Sequence, residues 1–258
     1  MPVKTIDINS DIGESPEAIA NGTEEKIMRQ LTSANIACGG HAGDEQTMET
    51  TVRLAKQLGV GVGAHPGYPD RANFGRTEMP MPPEALEASV REQIAALQKV
   101  ARRHSVPVVH VKPHGALYHA ANSKPVAEAI ARAVRACDPS LIMVALVGSP
   151  ALRWYSEMGM RCVAEAFADR AYESDGNLRS RKLPGALMQP PERAAEQGVA
   201  IATRGEVTAF DGKKIAVAAQ TICLHSDTPG APETARLLRE KLREAEVIVQ
   251  PLKAASGK

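Results

Sequence analysis

The sequence has no excess of charge of either sign, with 31 Lys plus Arg against 30 Asp plus Glu. This balance argues against a nucleic-acid groove or a polybasic membrane anchor. No apolar run approaches the length of a transmembrane helix, and the N-terminus, MPVKTIDINSDIGES, lacks the apolar region of a signal peptide. The four cysteines show no C-x-x-C spacing and are expected to be reduced thiols. We therefore expect a cytoplasmic protein with no nucleic-acid or membrane partner.

Nucleotide-binding loops are also missing. The segment that starts at Gly61-Val-Gly63 begins like G-x-G-x-x-G, but the next glycine, Gly67, comes one place late and follows Pro66. No G-x-x-x-x-G-K-[ST] loop occurs anywhere in the chain. If the protein uses ATP, it does not bind it through either of these loops.

Seven short apolar or β-branched runs predict buried parallel strands, and helical patterns lie between most of them. The predicted strands are Val3–Asn9, Ala34–Cys38, Val60–Ala64, Val106–Lys112, Leu141–Val147, Met160–Phe167 and Ala218–Leu224. The clearest predicted helices are Gln46–Leu58, Ala85–Arg103 and Pro125–Cys137. This alternation indicates a parallel α/β architecture, and we expect residues 1–258 to form one domain.

Polar turns follow nearly every predicted strand, which favours a β/α barrel over a doubly wound sheet, whose site lies at one switch point. Residues Val247–Val249 are either an eighth strand or a docked tail. Glu206–Phe210 and Lys214–Val217 flank an Asp-Gly turn and predict a small hairpin insertion near residues 206–217.

Four of the seven histidines follow apolar runs in turns marked by Gly or Pro: His41, His65, His114 and His225. Carboxylates occupy the same or equivalent turns: Asp11, Asp44, Asp70, Asp169 and Asp227. Strands that are far apart in sequence deliver side chains to one mouth of a barrel. The pattern therefore predicts an enzyme with a convergent active site.

The turn after the second strand contains Gly39, Gly40 and Gly43, which either approach an anionic ligand closely or only form a tight corner. Asp44 follows them and is placed to cap the next helix. Lys112 and His114 form either an oxyanion clamp with an acid/base group or an ion pair beside a loop-bonded histidine. Burial would lower the pKa of Lys112 unless a carboxylate pairs with it.

The sequence does not decide whether the protein has a metal centre. Strand-end His and Asp side chains are suitable ligands for Zn²⁺ or a similar ion, but they also serve metal-free acid/base chemistry. There is no H-E-x-x-H or H-x-x-x-H, so the ligands would have to come from different strands. Cys38 ends an apolar run and is expected to be a buried, inert thiol.

Six segments taken together resemble the LamB/YcsF family: DINSDIGE, SANIACGGHAGD, VGAHPGYPD followed by FGR, VKPHGALY, FADRAY and HSDTPGA. They occur in the family's order from about Ile6 to about Ala231. The resemblance implies a seven-stranded TIM-like barrel of the glycoside hydrolase/deacetylase type. It also implies ATP-dependent hydrolysis of 5-oxo-L-proline to L-glutamate in a complex with subunits B and C. ATP would be a co-substrate, with Mg²⁺ expected as its counterion.

The matching motif positions, together with the glycine turn, supply the candidate site. Its catalytic residues are expected to be Asp11, His65, Lys112 and His114. Its substrate-binding residues are expected to be Asn9, Glu14, Asn35, Gly39, His41, Asp44, Asp169, Arg170, His225 and Asp227. Such a pocket suits a small anionic lactam better than a metal. His225 is expected to act beside Asp227 as a supporting group.

In this hypothesis Asp11 or His65 activates water, while Lys112 and His114 stabilise developing charge. Either Arg170 or the Gly39–Gly43 turn holds the substrate carboxylate. Alanine at each catalytic position is expected to reduce turnover at least about tenfold without unfolding the protein. Two alternatives remain at this point: a metal-dependent, deacetylase-like amidohydrolase that does not use ATP, and a non-catalytic lactam-binding subunit.

Overall fold

The computed structural model describes residues 4–252, in which a ring of parallel strands is surrounded by helices. The ring strands are β1 (Thr5–Ile12), β2 (Ser33–Ala37), β3 (Gly61–His65), β4 (Val108–Val111), β5 (Ile142–Leu146), β6 (Arg161–Phe167) and, further along the chain, β9 (Thr221–Cys223). Each predicted strand is present with shifted ends. The largest correction is β1, which continues to Ile12, so Asp11 lies within the strand and not in the turn after it.

The ring is closed. Each strand pairs with the next in the order β1-β2-β3-β4-β5-β6-β9, and β9 pairs back with β1 through Asp7↔Thr221 and Asn9↔Cys223. This closure confirms the seven-stranded barrel and excludes the doubly wound alternative. Residues Ile248–Val249 form β10, which pairs only with Thr5 and Ile6 at the start of β1. It is a docked extension outside the ring.

Helices cover the outside of the barrel, and many begin with proline in the first turn. They are α1 (Pro16–Ala20), α2 (Thr23–Met28), α3 (Glu45–Leu58), α4 (Pro83–Arg103), α5 (Gly115–Ala120), α6 (Lys124–Cys137), α7 (Pro150–Glu157), α8 (Pro191–Arg204) and α9 (Ala231–Glu244). Within residues 4–252, none of them is long and apolar enough to cross a membrane.

The connection from β6 to β9 contains the predicted insertion. Strands β7 (Glu206–Thr208) and β8 (Lys214–Ala216) form an antiparallel hairpin. Gly212 takes φ 90° in its turn, as the Asp-Gly sequence predicts. The predicted domain, residues 1–258, extends beyond the described residues at both ends and stays a prediction there.

The apolar core lies between strands and helices, and the inside of the barrel is polar. Alternation along β1 sends Ile8 and Ile12 to the apolar layer, whereas Asp7, Asn9 and Asp11 contact polar side chains of other strands. A buried charge or amide is stable only with partners. The partners of these inward-facing residues therefore determine what the barrel can do.

Candidate functional site

The predicted catalytic residues meet at the carboxyl ends of the strands. Asp11, His65, Lys112 and His114 line one cavity of about 550 Å³, together with Arg170 and His225. All four predicted catalytic side chains are almost fully buried. Residues from separate strands or strand ends thus share one small chamber, as expected for the mouth of a barrel.

Glu14, His41, His65 and His114 form what we call the histidine cluster. Glu14 Oε1 lies 2.8 Å from His41 Nε2 and 3.0 Å from His114 Nδ1. His65 Nε2 lies 3.0 Å from His114 Nδ1, and the rings of His41 and His114 stack with centroids 3.5 Å apart. Burial lowers the pKa of His41 to about 4, although its bond to Glu14 opposes the shift.

Two rings of the histidine cluster have a fixed orientation. His65 Nδ1 lies 2.7 Å from the carbonyl oxygen of Lys112, and His114 Nε2 lies 2.9 Å from that of Phe74. A carbonyl oxygen only accepts hydrogen bonds, so these nitrogens carry the protons. In their neutral forms, the rings direct the lone pairs of His65 Nε2 and His114 Nδ1 towards each other and towards Glu14.

Lys112 is held between carboxylates. Its Nζ lies 3.0 Å from Asp11 Oδ1, 3.1 Å from Glu165 Oε1 and 3.0 Å from Cys223 Sγ. Burial would lower the pKa of Lys112, but Asp11 and the groups around it raise the pKa well above its ordinary value. Burial would likewise raise the pKa of Asp11, and the charges of His65 and Lys112 hold it well below its usual range. The ion pair that the sequence allowed is formed, and the role of Lys112 as an oxyanion clamp stays a prediction.

Beneath the cavity lies a set that we call the buried network: Asp7, Asn9, Asn35, His110 and Thr221. Asn9 Nδ2 donates to Glu165 and Thr221, Asn35 Nδ2 donates to Asn9 and Asp11, and His110 Nε2 donates to Asn35 Oδ1. Asn9 and Asn35 were expected to bind substrate, but neither lines the cavity. They orient Asp11 and support Lys112 from below.

Gly63 makes room for this network, since a Cβ there would lie 2.0 Å from His110 Nε2. The histidine therefore packs directly over the backbone of β3.

Arg170 and His225 form another part of the cavity wall. The Arg170 guanidinium is buried and its Nη2 donates to the carbonyl of Arg179, but its Nε has no hydrogen-bond partner among the described residues. Burial and the nearby Arg181 lower the pKa of Arg170. His225 Nδ1 lies 3.0 Å from Asp169 Oδ1. Its partner is thus Asp169, whereas Asp227 pairs with Arg76 and Arg181.

Three other expected substrate contacts lie elsewhere. Asp44 is exposed and caps α3, where its carboxylate accepts from Thr47 N at 2.8 Å. The carbonyl of Gly39 accepts from Arg71. Asp227 lies at the rim, paired with Arg76 and Arg181. None of Asp44, Gly39 and Asp227 lines the cavity, and their role in substrate binding stays a prediction.

Sequence reasoning missed Glu165, Phe74 and Arg76. Glu165 is fully buried, and Tyr118 Oη donates to its Oε2 at 2.8 Å. A lone carboxylate inside the apolar run Met160–Phe167 was the available signal, because such a group needs a buried partner. Phe74 and Arg76 follow a turn after β3 and carry no comparable signal.

The chain is similar to known proteins in both sequence and fold. A protein of Chloroflexus aggregans, the A subunit of 5-oxoprolinase, is 49% identical over 247 residues, covering 95% of this chain and 98% of that protein. The crystal structure of a lactam utilization protein from Thermus thermophilus has a TM-score of 0.90 at 44% identity and covers 96% of this chain and 100% of its own.

A more distant structure shares the fold alone. The catalytic domain of a peptidoglycan N-acetylglucosamine deacetylase from Eubacterium rectale has a TM-score of 0.51 at 9% identity, covering 100% of this chain and 92% of its own. The sequence profile of the LamB/YcsF family matches residues 6–257, nearly the whole length. This confirms the resemblance drawn from the motifs: the chain belongs to the LamB/YcsF family.

Proposed function

We propose that this protein is a component of a 5-oxoprolinase, which hydrolyses 5-oxo-L-proline to L-glutamate with cleavage of ATP. The support is its 49% identity, over nearly full length, to the A subunit of a 5-oxoprolinase. The observation that carries the proposal is a cavity in which a buried, incompletely paired guanidinium, Arg170, faces the same space as Asp11, His65 and His114.

Arg170 is the proposed holder of the substrate carboxylate. A guanidinium stays charged in proteins and binds carboxylates through paired N–H groups. The Nε of Arg170 is buried without a hydrogen-bond partner among the described residues, and Arg170 lines the cavity in which the substrate would lie. The Gly39–Gly43 turn is less suitable, because it lies outside the cavity lining and the N–H of Gly39 already donates to the carbonyl of Ala42.

Asp11 is the proposed base. Its Oδ1 is taken by Asn35 and Lys112, whereas Oδ2 has His65 Nε2 at 3.3 Å as its neighbour and borders the cavity. A water activated there would add to the ring carbonyl carbon. The ring C–N bond would then break, and the nitrogen would take a proton to become the α-amine of glutamate. Lys112 would stabilise charge on oxygen, whereas the Nε2–H of His114 is already donated to the carbonyl of Phe74.

ATP cleavage is assigned to partner subunits B and C, because this sequence has neither nucleotide loop. An amide carbonyl is a poor electrophile, and transfer of the γ-phosphate of ATP to its oxygen, with release of ADP, would make the ring carbon reactive towards water. Addition of water and cleavage of the ring C–N bond would leave an acyl phosphate, which a second water would hydrolyse to glutamate and inorganic phosphate. Mg²⁺ would accompany ATP on those subunits. We also propose a cytoplasmic location, supported by four free cysteines, of which Cys38 and Cys223 are buried.

The test measures glutamate release from 5-oxoproline and MgATP, with this chain alone and with subunits B and C. We expect release only from the complete mixture. Arg170→Met should raise KM for 5-oxoproline about 10- to 100-fold, the loss expected for a hydrogen bond to a charged group. Arg102→Met, an exposed position on α4, is the matched control and should leave KM unchanged.

Three outcomes would contradict the proposal in different ways. No glutamate from the complete mixture rejects 5-oxoprolinase activity. Glutamate from this chain without ATP favours the amidohydrolase alternative, for which the histidine cluster supplies possible ligands. Hydrolysis that persists when this chain is omitted favours a non-catalytic lactam-binding role.

A further inference from the structure

The histidine cluster gathers four donor atoms from four successive segments of the barrel mouth. Glu14 follows β1, His41 follows β2, His65 ends β3 and His114 follows β4. One ligand atom from each lies within 4.8 Å of all the others. We propose that these four residues bind one divalent transition-metal ion of the Zn²⁺ class.

The direction of the lone pairs supports this metal site. The carbonyl oxygens of Lys112 and Phe74 fix the protons of His65 and His114 on the outer nitrogens. When both rings are neutral, as metal ligands are, the inner nitrogens are two acceptors that face each other 3.0 Å apart. Glu14 Oε1 adds a third acceptor 3.0 Å from His114 Nδ1. One proton can bridge only one of these pairs, whereas a cation contacts all of them.

The hydrogen bonds made by the outer ring nitrogens also support the metal site. Histidine ligands usually donate their other N–H to a carbonyl or carboxylate, which sets the tautomer and the ring direction. His65 and His114 both have this arrangement before any ion is considered. His41 does not, since its Nδ1 has no hydrogen-bond partner among the described residues. It should therefore be the weakest histidine ligand of the set.

The loop that contains Phe74 packs against the rings of His41 and His114. Phe74 lies edge-on to both His41 and His114, with ring centroids 5.5 and 5.3 Å away. A Cβ at Gly75 would lie 2.7 Å from the Cβ of His41 and 3.1 Å from Cδ2 of His114. The neighbouring loop therefore closes against the two stacked rings, which restricts them to the converging arrangement.

The donor set indicates the kind of metal. Three imidazoles and one carboxylate suit Zn²⁺ and similar first-row ions, whereas Mg²⁺ and Ca²⁺ prefer oxygen ligands throughout. A second group of possible ligands, Asp11, Cys223 and His225, does not need a metal. The Lys112 ammonium already lies 3.0 Å from both Asp11 Oδ1 and Cys223 Sγ and supplies the positive charge there.

Metal binding is independent of the proposed function, because it is measured without substrate, ATP or partner subunits. The experiment uses the untagged full chain, stripped with a chelator and titrated with Zn²⁺ by competition against a chromophoric chelator. We expect one ion per chain. Titration with Co²⁺ should give visible bands of nitrogen and oxygen ligands, without the near-ultraviolet band of a thiolate, which distinguishes the site from the four cysteines.

His65→Ala and His114→Ala should each weaken Zn²⁺ binding at least about 100-fold, the upper end of what changes to supporting residues cost. His41→Ala should weaken it less. His104→Ala is the matched control, because this histidine lies at the end of α4 beside Glu49, and it should bind Zn²⁺ like the wild type. Glu14→Gln, which keeps the side-chain volume, replaces any histidine variant whose circular dichroism shows that it is unfolded.

Failure of the folded wild-type chain to bind Zn²⁺ or Co²⁺ would overturn the proposal. Wild-type affinity in folded His65→Ala, His114→Ala and Glu14→Gln would overturn it equally, since the ion would then lie elsewhere. Neither result would affect 5-oxoprolinase activity measured in the complete mixture, so the two proposals fail separately.

Discussion

The buried network and the histidine cluster lie one above the other in the same barrel. They differ in how their hydrogen-bond donors and acceptors are paired. In the buried network donors meet acceptors: Asp7 accepts from the hydroxyls of Thr32, Ser33 and Thr221. In the histidine cluster acceptors meet acceptors around Glu14. A satisfied network specifies a structure, whereas converging unsatisfied groups are arranged for a ligand or a reaction.

Lys112 joins the two layers, and its removal should give the largest effect on stability. Lys112→Met leaves Asp11 and Glu165 buried without their counter-charge, which typically costs about 3–5 kcal/mol. This revises the expectation that substitution at Lys112 affects turnover alone. Urea unfolding followed by circular dichroism measures the loss, with the exposed Lys99→Met on α4 as control. A loss below about 1 kcal/mol would show that Asp11 and Glu165 do not depend on this charge.

Asp7 offers a test of the buried network by pH. Burial raises its pKa from 3.8 to about 6, despite the three hydroxyls that donate to it and with a smaller contribution from Glu165. The folded protein therefore holds the proton more tightly than the unfolded chain. The resulting stability is complete below pH 4 and is lost as the pH rises through 6, by about 3 kcal/mol.

In Asp7→Asn the loss of stability caused by ionisation of Asp7 should disappear. Unfolding free energies measured from pH 4 to 7 should fall in the wild type relative to the variant. The exposed Asp175→Asn should follow the wild type. Parallel pH curves for wild type and Asp7→Asn would mean that Asp7 is not protonated in the folded protein at pH 5.

The smallest expected effect concerns a residue outside both layers. Asp44→Ala removes the cap of α3, which costs about 1 kcal/mol, and should leave KM for 5-oxoproline unchanged. Thermal unfolding and the complete enzyme assay measure the two quantities. Asp44→Asn keeps a good capping oxygen and should recover most of the stability. A raised KM in Asp44→Ala would return this carboxylate to the substrate site.

The barrel was largely predictable because buried parallel strands are near-continuous apolar runs, and each predicted run overlaps a strand. Which residues belong to the site was less predictable. Asp11, His65, Lys112 and His114 do share one cavity, but Asp44 belongs to a helix cap and Asn9 to the buried network. A turn position marks a residue as near the mouth without giving its direction. Glu165 lies inside an apolar run, so the pattern of the run did not indicate that this buried carboxylate belongs to the site.

The sequence by itself determined the order of strands and helices, the polar turns at the strand ends and membership of the LamB/YcsF family. Only the tertiary structure decided which polar groups are partners. It paired Lys112 with Asp11 and Glu165, paired His225 with Asp169, and brought three imidazoles and Glu14 together. The reason is physical: periodicity along the chain records which face is buried, whereas pairing across a closed barrel depends on distances between strands that are far apart in sequence.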